Sequence, residues 1–310
     1  MKTKIKKLSA LALAVLMVLS LLPSAVFSVF AEETVKYPPS SGNLTETISY
    51  TFDSATKTLT ISGTGKMPEF DYSLRSENCS PFYGCKINNI VIGEGITYLG
   101  RYAFLELGEV ESISFPSTLE DMQYRAFDGL NVIKNGFTVA EGNNSYSTQN
   151  GILFNKDKTE LIKYCDKDPS AYEDYTIPAN VKKIWLEAFY AGVTLNTLTL
   201  QGNGLELADY AIRDAKIRHL VINEGVKIIN SYCTISNSDV FEDTEIHIPS
   251  SVTSIGQQSF FGHEVLERIT VDENNKDFVS VDGALVAKKT GKLVAYPAGR
   301  KDTSYTTPAE

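Results

Sequence analysis

The sequence predicts an α/β repeat solenoid, rich in β-structure, whose strands join coil to coil into a parallel sheet and whose coils close through short irregular or helical turns. Three observations carry that expectation. Apolar residues alternate with polar ones and then meet proline, as in Ser112-Ile113-Ser114-Phe115-Pro116, which is the period of a half-buried strand stopped by loss of a ladder donor. A small residue beside an aromatic closes many of these units, as Ala103-Phe104, Ala126-Phe127 and Ala188-Phe189 do. The interval is steady: Ile90 and Ile113 lie 23 residues apart, as do Phe104 and Phe127, and Ile246 and Ile269. A unit that short cannot bury enough apolar area to offset the entropy of ordering it, so copies must stack and share one core.

The chain opens with a basic segment, Lys2, Lys4, Lys6 and Lys7, followed by an uncharged and mostly apolar run to Ala31. Val29-Phe30-Ala31 supplies small residues three and one positions before a cut ahead of Glu32-Glu33. That order is a secretory signal, so residues 1–31 are expected to direct export and be removed. An uncleaved membrane anchor is the alternative, since the run approaches the roughly 20 residues of a spanning helix, but Pro23, Ser24 and Ser28 interrupt it. Residues 32–44, with Pro38-Pro39 and Ser40-Ser41-Gly42, read as a flexible leader. Thr45 to Gly65 contains two alternating runs around Asp53-Ser54-Ala55-Thr56. It is expected to form a β-hairpin capping the first coil, within an amino-terminal cap and lead-in segment over 45–85.

Residues 86–301 carry the solenoid. Coils begin at Ile87, Val110, Tyr172, Ile217 and Asp243, and Phe104, Phe127, Phe189 and Phe260 are expected to stack inside. Two coils differ. Phe137 to Lys167 and Ile269 to Arg300 each hold a strand, an Asn-Asn corner and a hairpin, and their first residues lie 132 apart. The hairpin turns Asn155–Thr159 and Lys288–Gly291 are expected to protrude. Ile212-Arg213-Asp214 and Ser231-Tyr232-Cys233 replace the usual Ala-Phe ending, and Thr234–Val240 is a polar addition, so coils near 200–240 should be less regular. Residues 302–310 match the first strand of a coil and then stop. An incomplete final repeat is expected there, which a carboxy-terminal continuation or an edge-to-edge partner would complete.

These repeats resemble the BspA-like, treponemal-type leucine-rich repeats of exported bacterial proteins. The resemblance rests on Ile246-His247-Ile248-Pro249 running to Gly256 with Ser259-Phe260, and on Ile90 to Gly100 with Ala103-Phe104. Leu59 to Gly65 and Pro81-Phe82-Tyr83-Gly84-Cys85 also look like what precedes such arrays. It covers about residues 45–308 and implies a horseshoe-like leucine-rich-repeat solenoid. For some members it implies surface adhesion or host-protein binding, and it supplies no ligand and no catalytic residue.

Charge narrows the partners. The chain has 29 basic and 38 acidic side chains, and loss of the four leader lysines leaves a net charge of −13. Without a basic patch this disfavours nucleic acid and anionic lipid. Four cysteines are too few for a disulfide scaffold; Cys79 and Cys85 could pair if their turn folds back, whereas Cys165 and Cys233 read as small core residues. His219 and His247 fall on strands and could stand near one another, and His263 reads as a polar turn residue. Gly63-Thr64-Gly65 is too short to cradle a phosphate, and Asn155 to Glu160 lacks the central glycine and twelfth-position acid of a calcium loop. No cofactor, metal or catalytic residue is expected. Outward strand positions, by contrast, should form a contiguous wall: Asn89, Val91, Ser112, Ser114, Thr176, Thr199, His219, Val221, Glu245, His247 and Thr270. The expected function is non-enzymatic extracellular binding or adhesion, secreted or at the cell surface, recognising a protein or glycan through that wall. A structural surface or matrix role is the alternative, and a carbohydrate-active enzyme module, or the partner of one, a lesser one.

Overall fold

The computed structural model describes residues 35–73, 75–190, 192–233, 241–302 and 304–306. The segment expected to direct export, the Thr234–Val240 addition and most of the expected final partial repeat lie outside the described residues. Tyr37–Glu310 forms one compact unit.

Twenty-four strands and no helix occur among the described residues. Strand β1 (Ser41–Asn43), within the segment expected to be a flexible leader, pairs antiparallel with β2 (Ile48–Asp53), which pairs antiparallel with β3 (Thr58–Gly63). The strict burial alternation of β2, with Ile48, Tyr50 and Phe52 inward, follows from its alternating sequence. From β3 onward every coil-to-coil pairing is parallel. β3 pairs with β5 (Asn89–Ile92), β5 with β7 (Gly108–Phe115), and β7 with β9 (Leu130–Val139). This first wall resumes as β13 (Glu173–Thr176), β15 (Thr194–Leu200) and β17 (Lys216–Ile222), and again as β19 (Glu245–Ile248) and β21 (Arg268–Val271).

A second, narrower wall comes from the residues after each corner. It begins with β4 (Gly65–Lys66), β6 (Ile96–Leu99) and β8 (Asp121–Met122). It continues through β12 (Glu160–Lys163), β14 (Lys183–Ile184), β16 (Leu205–Leu207), β18 (Val226–Ile229) and β20 (Ser254–Ile255). The coil holding β9 adds β10 (Tyr146–Gln149) and β11 (Ile152–Asn155), antiparallel to each other, and β11 hands on to β12. The same device returns as β22 (Phe278–Val281), β23 (Ala284–Ala287) and β24 (Leu293–Ala295). In both copies the tip side chains are exposed, at Lys156 and Asp157 and at Lys288 to Thr290, while the middle strands β11 and β23 are largely buried.

The expected α/β horseshoe with helical turns is therefore corrected: the chain is an all-β solenoid. The reason lies in the turns. Tyr102, Phe104 and Glu106 donate their N–H groups to Arg125, Ala126 and Asp128 of the next coil, at 3.0, 2.9 and 2.9 Å. Those donors are spent along the stack and cannot close the i→i−4 bonds a helix requires. Tyr102, Glu187, Tyr210, Tyr232 and Gln258 adopt positive φ, between 53° and 58°, which breaks helical continuity once per turn. The turns thus become a third ladder, referred to below as the turn wall.

Phe82, Phe104 and Phe127 stack down the interior, with centroids 6.2 and 5.8 Å apart and planes tilted by 17° and 11°. The interior divides into two apolar clusters that meet at the first hairpin. Leu153 and Ile162 belong to the amino-terminal cluster, and Ile152, Phe154, Leu161 and Tyr164 to the carboxy-terminal one. Being covered on both faces explains why Ile152-Leu153-Phe154 is continuously apolar rather than alternating.

Candidate functional site

The outward face of the first wall is assembled by register. Asn89 lies opposite Ser112 and Val91 opposite Ser114; Thr176 lies opposite Thr199, which lies opposite Val221. His247 lies opposite Thr270, and Glu245 opposite Arg268. Every expected ridge position faces outward or sits half-exposed. Short side chains are tied sideways: Ser112 donates to Asn89 Oδ1 at 2.7 Å, and Thr270 donates to Glu245 Oε1 at 2.8 Å. Val91 and Val221 remain bare, at 37% and 39% exposure.

The histidines take separate partners. His219 Nδ1 meets Asp243 Oδ1 at 2.7 Å, while His247 Nδ1 meets Thr270 Oγ1 at 3.2 Å, on a different strand ladder. His263, expected as a polar turn residue, accepts from Leu266 N at 3.1 Å and is buried, its ring 4.2 Å from that of Phe241. Among the described residues no group of three or more His, Cys, Asp or Glu side chains is placed to hold a metal ion. Asn155 uses its side chain to close its own turn, accepting from Glu160 N at 3.0 Å and donating to Thr159 Oγ1 at 2.9 Å. Cys79, Cys165 and Cys233 are free thiols; Cys85, Cys165 and Cys233 are buried, and burial pushes the Cys165 thiol up to about 11.

Sequence reasoning missed a second concavity, on the turn wall. A cavity of about 200 Å³ lies among Tyr72, Tyr190 and Tyr210, the guanidinium groups of Arg125 and Arg213, and the carboxyl groups of Glu106, Asp128 and Glu187. Two of them, Glu187 and Tyr210, are positive-φ residues directly ahead of a turn alanine. Arg125 donates to Tyr102 Oη at 3.0 Å and lies 3.7 Å from Asp128, and Arg213 lies 3.0 Å from Asp214. The Arg213 guanidinium also lies 5.3 Å from the Tyr210 ring and 5.9 Å from the Tyr190 ring. Behind Asp128 and Glu187 sits Lys163, only 4% exposed, with Nζ donating to the Glu187 carbonyl at 2.9 Å. Burial raises the Glu187 carboxyl well above the usual range, helped by a hydrogen bond with Asp128, and burial depresses the Lys163 ammonium. One signal was available in the sequence: Lys163-Tyr164 stands where other turns have Ala-Phe.

A family model described as "BspA type Leucine rich repeat region" matches residues 75–149 and 159–280 in six copies. Its break falls at the turn region of the first hairpin. No curated protein matches the sequence. Among solved structures, the pneumococcal vaccine antigen PcpA shares the fold, at 17% identity over 77% of this chain and 83% of that one, with a TM-score of 0.51. A leucine-rich repeat protein of Eubacterium ventriosum is 20% identical over 74% of this chain and 72% of its own, with a TM-score of 0.35. A leucine-rich cell surface protein of Faecalibacterium prausnitzii is 15% identical over 87% and 65%, also at 0.35.

Proposed function

Because this chain belongs to the BspA-type leucine-rich-repeat family, we propose that it acts outside the bacterial cell as a non-enzymatic binding or adhesion module that recognises a protein or glycan with the outward face of its first wall. Solenoids of this family are typically exported, non-catalytic surface modules, and the acidic balance of the chain suits a soluble, self-repelling protein. The observation that carries the reading is the register-built face itself. Successive coils place equivalent side chains in rows, so contacts that are weak singly add over many coils. Val91 and Val221 give this otherwise polar face two bare apolar positions.

The test is capture of extracellular-matrix and mucus components by the purified chain, beside the same chain carrying Val91→Asp and Val221→Asp. The expected outcome is saturable binding by the wild type, weakened at least tenfold in the double variant without a change in melting temperature. Undiminished binding by the double variant would remove the face from the proposal. Absence of any saturable partner would favour a structural role at the cell surface instead.

A further inference from the structure

The turn-wall cavity owes its existence to the first hairpin. In ordinary coils the aromatic of one turn donates its N–H to the alanine carbonyl of the next: Phe104 to Ala126 and Phe189 to Ala211, each at 2.9 Å. Tyr164 donates to Ala188 in the same way, at 2.8 Å, and its ring stacks on Phe189 at 4.8 Å. Tyr164 therefore holds the aromatic position of the hairpin coil, and Lys163 the alanine position. No residue of that coil lines the cavity. The strand β12 runs directly into Lys163 and leaves a gap between the outward side chains of the coils on either side.

Lys163 is an anomaly on packing grounds. Ala103, Ala126, Ala188 and Ala211 fill the equivalent site, each fully buried. In the second hairpin the register that sets Leu153 opposite Lys163 sets Leu285 opposite Ala295. A buried ammonium costs free energy that alanine would not. Here it lies behind the Asp128 and Glu187 carboxyl groups, with Nζ 5.8 Å from the centre of the Tyr190 ring. This cation holds the Glu187 backbone through its carbonyl and partly offsets the charge of the two acids.

The two arginines of the lining are paired as well. Arg125 faces Asp128 and Arg213 faces Asp214, so neither guanidinium is left to attract an anion. The cavity offers donors, acceptors and aromatic faces: two guanidinium groups and three carboxyl groups, of which burial favours the neutral form of Glu106 and Glu187. Its volume is below the roughly 300–1,000 Å³ of pockets for drug-sized ligands, which suits one ring rather than an extended molecule.

We propose that this cavity binds a single neutral sugar ring of a glycan, whose C–H face lies against tyrosine rings and whose hydroxyl groups pair with Arg213 and the facing carboxyl groups. The site stands on the turn wall, apart from the first-wall face, and does not depend on that face having a partner. Paired hydroxyl groups match both the fork of a guanidinium and the two oxygens of a carboxylate.

The experiment titrates the purified chain with the methyl glycosides of glucose, galactose, mannose and N-acetylglucosamine. Saturation-transfer NMR is read beside the fluorescence of Trp185, the sole tryptophan, which lines the cleft shared with Lys163 and Glu187. At least one glycoside is expected to bind saturably, with Tyr190→Ala and Arg213→Ala each weakening it at least tenfold. Lys163→Ala, which installs the residue other turns use, should keep the fold and still weaken binding. Val221→Asp should leave it unchanged. The proposal is overturned if no glycoside binds, or if binding survives in all three cavity variants. Dependence of a protein partner on Tyr190 and Arg213, with no glycoside competing, would overturn it equally and assign the cavity to a polypeptide. A failure of first-wall capture alone would leave these outcomes untouched.

Discussion

Asn143 and Asn275 are each 1% exposed, a placement that would be costly for an unpaired amide. Asn143 Nδ2 donates to the carbonyls of Pro116 and Leu119, at 2.8 and 3.0 Å, and its Oδ1 accepts from Ser145 and Tyr146 N–H groups at 2.8 and 2.7 Å. Asn275 repeats the set against Pro249, Val252, Asp277 and Phe278. Each amide thus pins the corner before a hairpin to the corner of the preceding coil. With a penalty of about 1–3 kcal/mol for a buried polar group left unpaired, Asn143→Ala should lower unfolding free energy by about 3 kcal/mol, and Asn275→Ala by a similar amount, as read by denaturant titration. Glu187 makes a different prediction. Its folded value is raised to about 8 from 4.5, so between those values the folded state holds more protons than the unfolded one and stability must fall as pH rises. The groups facing it are Asp128, Lys163 and Arg125; Lys163 is lowered from 10.5 only to about 8 and stays charged in both states between pH 5 and 7. Over that window the melting temperature of Glu187→Gln relative to wild type should climb with pH, and a flat difference would contradict the assignment. The outward wall residues were legible in the sequence, because alternation in a strand determines facing. The cavity was not, because it is made by what one coil leaves out, and only the odd Lys163-Tyr164 pair hinted at it.

At the scale of the element, the stacked phenylalanines Phe82, Phe104 and Phe127 thread the amino-terminal cluster, whereas Phe189 stacks on Tyr164 in the other. Phe104 is fully buried between Phe82 and Phe127, and truncation there removes both contacts and leaves a void. Phe104→Ala is expected to cost about 3–5 kcal/mol, measurable as a shift in chemical denaturation midpoint. The base of the first hairpin sets a steric limit. Gly136 has φ +81°, and a Cβ there would lie 2.5 Å from Gly151 Cα, so Gly136→Ala meets both a strained backbone and an opposing one. It should displace β10 and β11, with loss of amide protection from Tyr146 to Asn155 as the readout. Strands and aromatic anchors could be read from sequence because burial imposes period and residue type together. The turn conformation could not. Arg-Tyr-Ala-Phe has no local feature that rejects a helical turn; the ladder to the next coil rejects it, and that pairing is non-local.

For the molecule as a whole, the first hairpin acts as a partition between two apolar clusters, each of its inner strands giving side chains to both. Repeat stability is carried by neighbouring coils, so a defect on one side should loosen that side first. Leu198, fully buried in β15, belongs to the carboxy-terminal cluster. Leu198→Ala should speed hydrogen exchange across β13 to β20 while β2 to β7 keep their protection; equal acceleration on both sides would show that the partition does not divide the cooperative unit.

The parallel ladders also determine how the protein would bear a load. Their hydrogen bonds point from coil to coil, so traction along the stack meets each rung end-on and opens the weakest coil before its neighbours. Each 23-residue coil that peels away releases about 75–80 Å of chain in place of a rung spacing of about 4.8 Å. A solenoid built this way yields by releasing chain in steps rather than all at once.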